Sequence, residues 1–222
     1  MLILLLFLRI KKNRVAVKKS IFKADKKYTF SDYFYLPNPI EEIIVELGYV
    51  YSLEVLQLPR SENCDVESVH NLQQNYYRVL PRISMNSETA KREFLIAPIL
   101  FELAKATDSR INVEYFIDVD EKLSGYLDYL VRSKQELIVI EAKKGDIDRG
   151  FNQLAAELIA LDQYEEEGGS ILYGVVTIGE MWGFSTLDRK KKKITRDIHN
   201  YTIPEDVEDI FRILVGIIES SV

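Results

Sequence analysis

The apolar and polar positions of the chain mark out a sheet first. Residues 137–140 (Leu-Ile-Val-Ile) run without a break into Glu141, as in a strand buried on both faces. Two further strands are expected before it, over 112–118 and 125–132, and a short polar turn at 132–136 folds the last two strands (125–132 and 136–142) into a hairpin. Ahead of them, 87–106 reads as a helix with Ser87 as N-cap and Glu88 in its first turn. Leu95, Ile96, Ile99, Leu100 and Leu103 define its apolar side, and Pro98 predicts a kink. A helix over 150–164 follows the third strand, with Leu154, Leu158 and Leu161 as its stripe. The run at 171–178 is apolar on both sides, so a parallel, right-handed crossover is expected.

Outside this core the pattern is plainer. Asn38-Pro39 starts a helix that Gly48 closes, and a polar stretch at 60–87 holds a helix over 66–79. An outer hairpin is expected from 181–187 and 193–201. Pro204, Glu205 and Asp206 open a last helix that buries Val207, Ile210, Phe211, Leu214 and Ile218. The expectation is an α/β fold in the order αβββαβ, a central mixed sheet flanked by helices. Its divisions are a basic, mobile arm (1–30), an aromatic and helical extension (31–84), the core with its hairpin (85–203) and a C-terminal packing helix (204–222).

Composition narrows the chemistry. With 222 residues, 47% of them hydrophobic, the chain can bury a core as one domain with appendages. The single cysteine, Cys64, excludes an internal disulfide, and with two histidines, His70 and His199, it leaves no zinc-type cluster. A reduced, cytoplasmic setting is the default. The apolar run 2–8 is too short to span a bilayer, so a membrane partner is not expected, although a peripheral anchor remains a competing idea. Residues 1–30 carry nine Lys/Arg against Asp25 alone, and since the whole chain is −6, residues 31–222 carry −14. An acidic body is not the electrostatic footprint of a nucleic-acid binder. The one compact basic cluster in it is the turn Arg189-Lys190-Lys191-Lys192-Lys193, either a solvated turn or a set of phosphate contacts.

Against that background, Asp128, Glu141 and Lys143 stand out. Side chains at i and i+2 of a strand share a face, so Glu141 and Lys143 project together, and Asp128 lies on the neighbouring strand. Two carboxylates about 4 Å apart repel by roughly 4 kcal/mol at an effective dielectric near 20. A proton, an ammonium or a cation must relieve that repulsion. Lys143 leaves the trio at −1; one more carboxylate brings it to −2, which a divalent ion balances. Mg²⁺ needs only one or two carboxylates besides water and substrate phosphate. On the helix over 87–106, Glu88 lies about 50° from the centre of the apolar side, Arg92 almost on it and Glu93 about 90° away. Glu88 is therefore the better fourth carboxylate and Glu93 the second choice. Gln153 shares one side of its helix with Ala156, Glu157 and Ala160, whose small alanines allow close approach to the sheet. A strand-end ion pair, a first-turn acid that serves the helix dipole and a surface glutamine are the plain alternatives.

The order helix, three strands, helix, strand, with Glu88, Asp128, Glu141-Ala142-Lys143 and Gln153 at successive stations, resembles the PD-(D/E)XK nuclease superfamily, the restriction-endonuclease-like fold. The stretch Ser87-Glu88-Thr89-Ala90-Lys91-Arg92-Glu93-Phe94-Leu95-Ile96-Ala97-Pro98-Ile99-Leu100 is similar to the opening helix of the N-terminal nuclease region of type I restriction subunits. The likeness covers about residues 85–180, and Leu127 rather than proline precedes Asp128. It implies a DNA endonuclease using Mg²⁺ or Mn²⁺, acting as a homodimer or in a larger restriction or repair complex. Asp128, Glu141 and Glu88 would ligate the metal, Lys143 would orient water or stabilise the phosphorane, and Gln153 would position the site. The alternative is an inactive nuclease-fold protein that binds nucleic acid or scaffolds a complex.

Overall fold

The computed structural model of the chain describes residues 20–133, 137–143, 145–165 and 169–220. The apolar run 2–8, most of the basic arm and the middle of the hairpin turn (134–136) lie outside the described residues. Seven strands form one mixed sheet: β1 (Val50–Glu54), β2 (Arg110–Asp118), β3 (Ser124–Arg132), β4 (Leu137–Ala142), β5 (Ile171–Thr177), β6 (Met181–Asp188) and β7 (Lys193–Thr202). Their spatial order is β1-β7-β6-β5-β4-β3-β2. The pair β3/β4 is antiparallel, as the hairpin pattern predicts, β2/β3 is antiparallel as well, and β4/β5 is parallel, as a crossover requires. The outer hairpin β6/β7 is antiparallel and β6 also pairs antiparallel with β5.

Alternation sorts the strand residues between two helical layers. Leu130 and Val139, cross-strand partners, pack with α6 (Ile147–Tyr164), α1 (Phe30–Phe34) and α2 (Ile40–Glu46) on one face. Tyr129, Val131, Ile138 and Ile140 pack with α3 (Val66–Val79), α5 (Ala97–Ala106) and α7 (Val207–Glu219) on the other. The last helix buries all five apolar residues expected of it. Helix α6 is buried on every side from Gly150 to Leu161, because α1 and α2 cover the side that faces away from the sheet.

Three features depart from the sequence expectation. First, the segment after residue 20 is anchored: Phe22 and Tyr28 are buried, and Ile21 N–H donates to Glu46 Oε2 at 2.9 Å. Second, the strand β1 went unforeseen; it lies parallel to β7 at the sheet edge, with Val50 and Leu53 exposed, so it lacks a one-sided apolar pattern. Third, the helix expected over 87–106 is not continuous. It consists of α4 (Glu88–Lys91), a π-turn (Arg92–Ile96) and α5, and Ala97 N–H donates to Arg92 O five residues back. Pro98 has no N–H for the normal ladder, so the backbone widens just before it. The predicted kink is this π-turn.

Candidate functional site

Glu141 occupies the end of β4 and is 1% exposed. One step beyond the last ladder pair, Tyr129↔Ile140, the register sets Asp128 of β3 opposite Glu141. Lys143 follows two residues on, and its Nζ forms an ion pair with Glu141 Oε1. The backbone holds it there, since Lys143 N–H donates to Thr177 O at 2.7 Å and extends the β4/β5 pairing.

Helix α6 supplies the other wall. Asp146 caps it, accepting from Arg149 N–H at 3.1 Å. Its first turn lies hard against the sheet at Gly150, where a Cβ would come within 2.6 Å of Val176 Cγ1. That approach sets Gln153 over the strand ends, where its Nε2 donates to Glu141 Oε1 and to Glu157 Oε1, both at 2.8 Å. Gln153 is 3% exposed and Glu157 fully buried. The alanines Ala156 and Ala160 are buried beside them, as the close approach needs.

Helix α4 closes the third side. Lys91 Nζ donates to Ile178 O at 2.9 Å and to Glu180 Oε2 at 2.8 Å, tying this helix to the turn between β5 and β6. Ser87 caps it by accepting from Ala90 N–H at 3.0 Å. Glu88 thereby faces a cleft of about 530 Å³ that Asp128, Glu141, Lys143 and Gln153 also line. An adjoining hollow of about 300 Å³ shares Glu88, Lys143 and Gln153 with it. The five residues singled out by sequence thus meet at one place. Glu93, the second choice, is exposed and lines neither hollow.

The charges respond to this crowding. Burial, then the Asp128 carboxylate, push Glu141 up to about 7, against the opposing pull of Lys143. Glu157 stands well above the usual carboxylate range, through burial and then Glu141. Gln153 donates to both carboxyls, and the charge of Glu141 raises the proton affinity of Glu157 on top of its own desolvation. Burial works to lower Lys143, but Glu141, Glu157 and Asp128 outweigh it and the lysine is held above its ordinary value. Arg92 adds a second cation: Nη1 lies 3.5 Å from Asp128 Oδ1, and Nε donates to Tyr129 Oη at 3.2 Å.

Sequence reasoning gave no role to Glu157 or Arg92, although both left a trace. Glu157 is the acid one turn beyond Gln153 on a helix otherwise apolar on that side, and Arg92 is a charge at the centre of an apolar stripe. The basic turn is a different matter. β5 pairs its first residue, Ile171, with Asp188 and its last, Thr177, with Trp182, so Arg189–Lys192 sits at the end of the sheet opposite Glu141. The separation is roughly 20 Å, the length of a seven-residue strand. Arg189 donates to Asp162 Oδ1 at 2.7 Å, Lys191 pairs with Asp188 at 2.8 Å and Lys193 with Glu54 at 2.7 Å. The turn weighed as a solvated loop or a set of phosphate contacts thus lies away from the cleft, with Arg189, Lys191 and Lys193 in ion pairs.

Among the described residues no three His, Cys, Asp or Glu side chains are spaced to hold a metal ion, and no helix is long and apolar enough to cross a membrane. The sequence matches no protein-family model and no curated protein.

Proposed function

We propose that this chain is a metal-dependent nuclease of the PD-(D/E)XK type, hydrolysing DNA phosphodiesters at the cleft lined by Asp128, Glu141, Lys143, Gln153 and Glu88. The observation that carries it is Glu141: a carboxylate 1% exposed at a strand end, bound through one oxygen by Lys143 and Gln153, with Oε2 lacking a hydrogen-bond partner among the described residues. An orphaned oxygen beside a second acid is costly unless something positive completes it. The order α4–α5, β2–β3–β4, α6, β5 supports the same reading.

The donor set fits Mg²⁺ or Mn²⁺, which take oxygen ligands and need few from the protein. Asp128 and Glu141 would hold the ion, with Glu88 on the opposite cleft wall. Such an ion, when bound, polarises the phosphate and lowers the pKa of its water. The remaining work falls to the chain. Lys143 offsets negative charge that grows on the phosphoryl oxygens. Gln153 fixes the rotamer of Glu141 by donating to it. Glu157, buried behind Gln153 and with its proton affinity raised by burial and by Glu141, adds to the pull for positive charge at this end of the sheet. No histidine base is required.

A second reading, an inactive nuclease-fold scaffold, is favoured by the −14 charge of residues 31–222. Incubation with plasmid and single-stranded DNA plus Mg²⁺ or Mn²⁺ separates the two. Cleavage by the wild type that Asp128→Ala and Lys143→Ala abolish supports the nuclease. Cleavage unchanged in both variants, or none by the wild type with either metal, overturns it.

A further inference from the structure

We propose that the cleft takes DNA as an unpaired strand, gripped by stacking its bases on the exposed rings of two aromatic pairs that flank Lys143; this rests on the nuclease reading for the chemistry but not for the binding. Phe116 and Tyr126 are cross-strand partners on β2 and β3, with ring centroids 5.0 Å apart. They are 49% and 61% exposed and line the larger hollow with Asp128 and Glu141. Strand alternation puts Tyr126 on the same face as Asp128, two residues away. On the other flank, Phe34 and Tyr35 at the end of α1 lie edge to face at 5.2 Å and line the smaller hollow. Tyr35 is 73% exposed, and Lys143 Nζ lies 5.7 Å from the Phe34 ring centroid.

Exposed aromatic faces on both sides of a charged cluster are unusual for a surface that only needs to be wet. Every base offers a π-face, so aromatic side chains hold unpaired nucleotides without reading their sequence. An intact duplex keeps its bases stacked inside and offers these rings nothing. A duplex would instead need a row of lysines and arginines for its phosphates. Here Lys143 in the cleft and Arg92 beside it are already engaged by Glu141 and Asp128, and the basic turn lies at the far end of the sheet. Acidic walls repel phosphate, so bases must supply the adhesion.

The test is fluorescence anisotropy with a fluorescein-labelled twelve-nucleotide oligothymidine and a twelve-base-pair duplex, at low salt, once in EDTA and once in Ca²⁺. The wild type is expected to bind the single strand about ten-fold or more tightly than the duplex, given what stacking contributes per base. The double variant Phe116→Ala, Tyr126→Ala is expected to lose that ratio, and Tyr35→Ala part of it. These side chains are exposed, so each variant's melting temperature is expected to stay with the wild type. Duplex bound as well as the single strand, single-strand affinity unchanged within two-fold in the double variant, or no binding of either probe would each overturn the proposal. So would light scattering that shows a dimer broken by the double variant, since a second copy would then cover these rings. Single-strand binding without cleavage by any variant defeats the nuclease reading alone; cleavage with a duplex preference defeats the stacking proposal alone.

Discussion

Arg92 and Asp128 face each other across the end of the sheet, Nη1 3.5 Å from Oδ1, and Arg92 reaches that position from a π-turn. Tyr129 steadies the guanidinium from beneath, 5.2 Å from its ring centroid. The pair makes Arg92 a resident counter-charge on a carboxylate proposed to bind metal. Arg92→Ala is therefore expected to tighten Mg²⁺ binding several-fold, roughly the 1 kcal/mol of a partly exposed ion pair. Calorimetric titration of wild type and variant checks it; unchanged or weaker affinity in a folded variant contradicts the competition.

Glu157 gives a prediction with a sign. Burial and Glu141 raise its affinity for a proton in the folded state, and Glu141 itself is raised to about 7. A group raised on folding contributes stability that is complete below its unfolded value, roughly pH 4, and lost as pH climbs through the folded value. Stability of the metal-free protein should thus fall from about pH 4 to beyond pH 7, at about 1.4 kcal/mol per pH unit for each proton involved. Glu157→Gln, a neutral isostere, is expected to flatten part of this slope and cost under about 1 kcal/mol at pH 5. Glu157→Ala opens a cavity beside Gln153 and should cost about 2–4 kcal/mol at pH 5, a cost that shrinks as pH rises because the titrating carboxyl is gone in this variant too. Urea denaturation at several pH values distinguishes the two variants.

The legible part of this site was whatever local periodicity determines. Glu141 and Lys143 had to share a face because a strand alternates, and Asp128 had to lie opposite once the hairpin closed. Glu88 and Gln153 were legible through helix geometry. What sequence could not weigh was pairing at a distance. Arg189 looked available until Asp162, 27 residues earlier, took it. The charge on Arg92 had no visible partner because its partner lies 36 positions on. Glu157 lay on the side of its helix read as approaching the sheet, but its nearness to Glu141 through Gln153 depends on a pairing across the fold. β1 escaped because edge strands carry weak patterns, and Phe116 and Tyr126 because exposed aromatics have no period of their own.

Lys143→Met removes the cation that touches Glu141. A buried carboxylate without its partner is strongly penalised, but Glu141 can escape by taking a proton. The variant should therefore melt close to wild type at pH 5 and progressively lower as pH rises to 8, with Glu141 pushed higher still. Thermal melts across that range test the argument; an equal loss at both ends would show that Lys143 contributes by packing and not by charge. DNA cleavage should be abolished throughout.

Glu114 sits where the β2/β3 ladder passes from Val113↔Tyr129 to Tyr115↔Leu127, beside Asp128, and its φ is +53°. A residue with a Cβ in the left-handed region costs of order 1–3 kcal/mol, and such strain gathers at functional sites. The side chain is 67% exposed and its ion pair to Arg92 is a long 3.8 Å, so little packing opposes replacement. Glu114→Gly should then stabilise the fold by about 0.5–1 kcal/mol, after allowing for the greater freedom of glycine in the unfolded chain. Glu114→Val, which tolerates the left-handed region least, should destabilise by about 1–2 kcal/mol. For a chain of this size each kcal/mol moves the melting temperature by roughly 2–4 °C. Glu93→Gly, also exposed but in the helical π-turn, is the control with the opposite sign, a loss of about 1 kcal/mol. If both glycine variants melt lower than wild type, Glu114 is held in place by its contacts rather than strained against them.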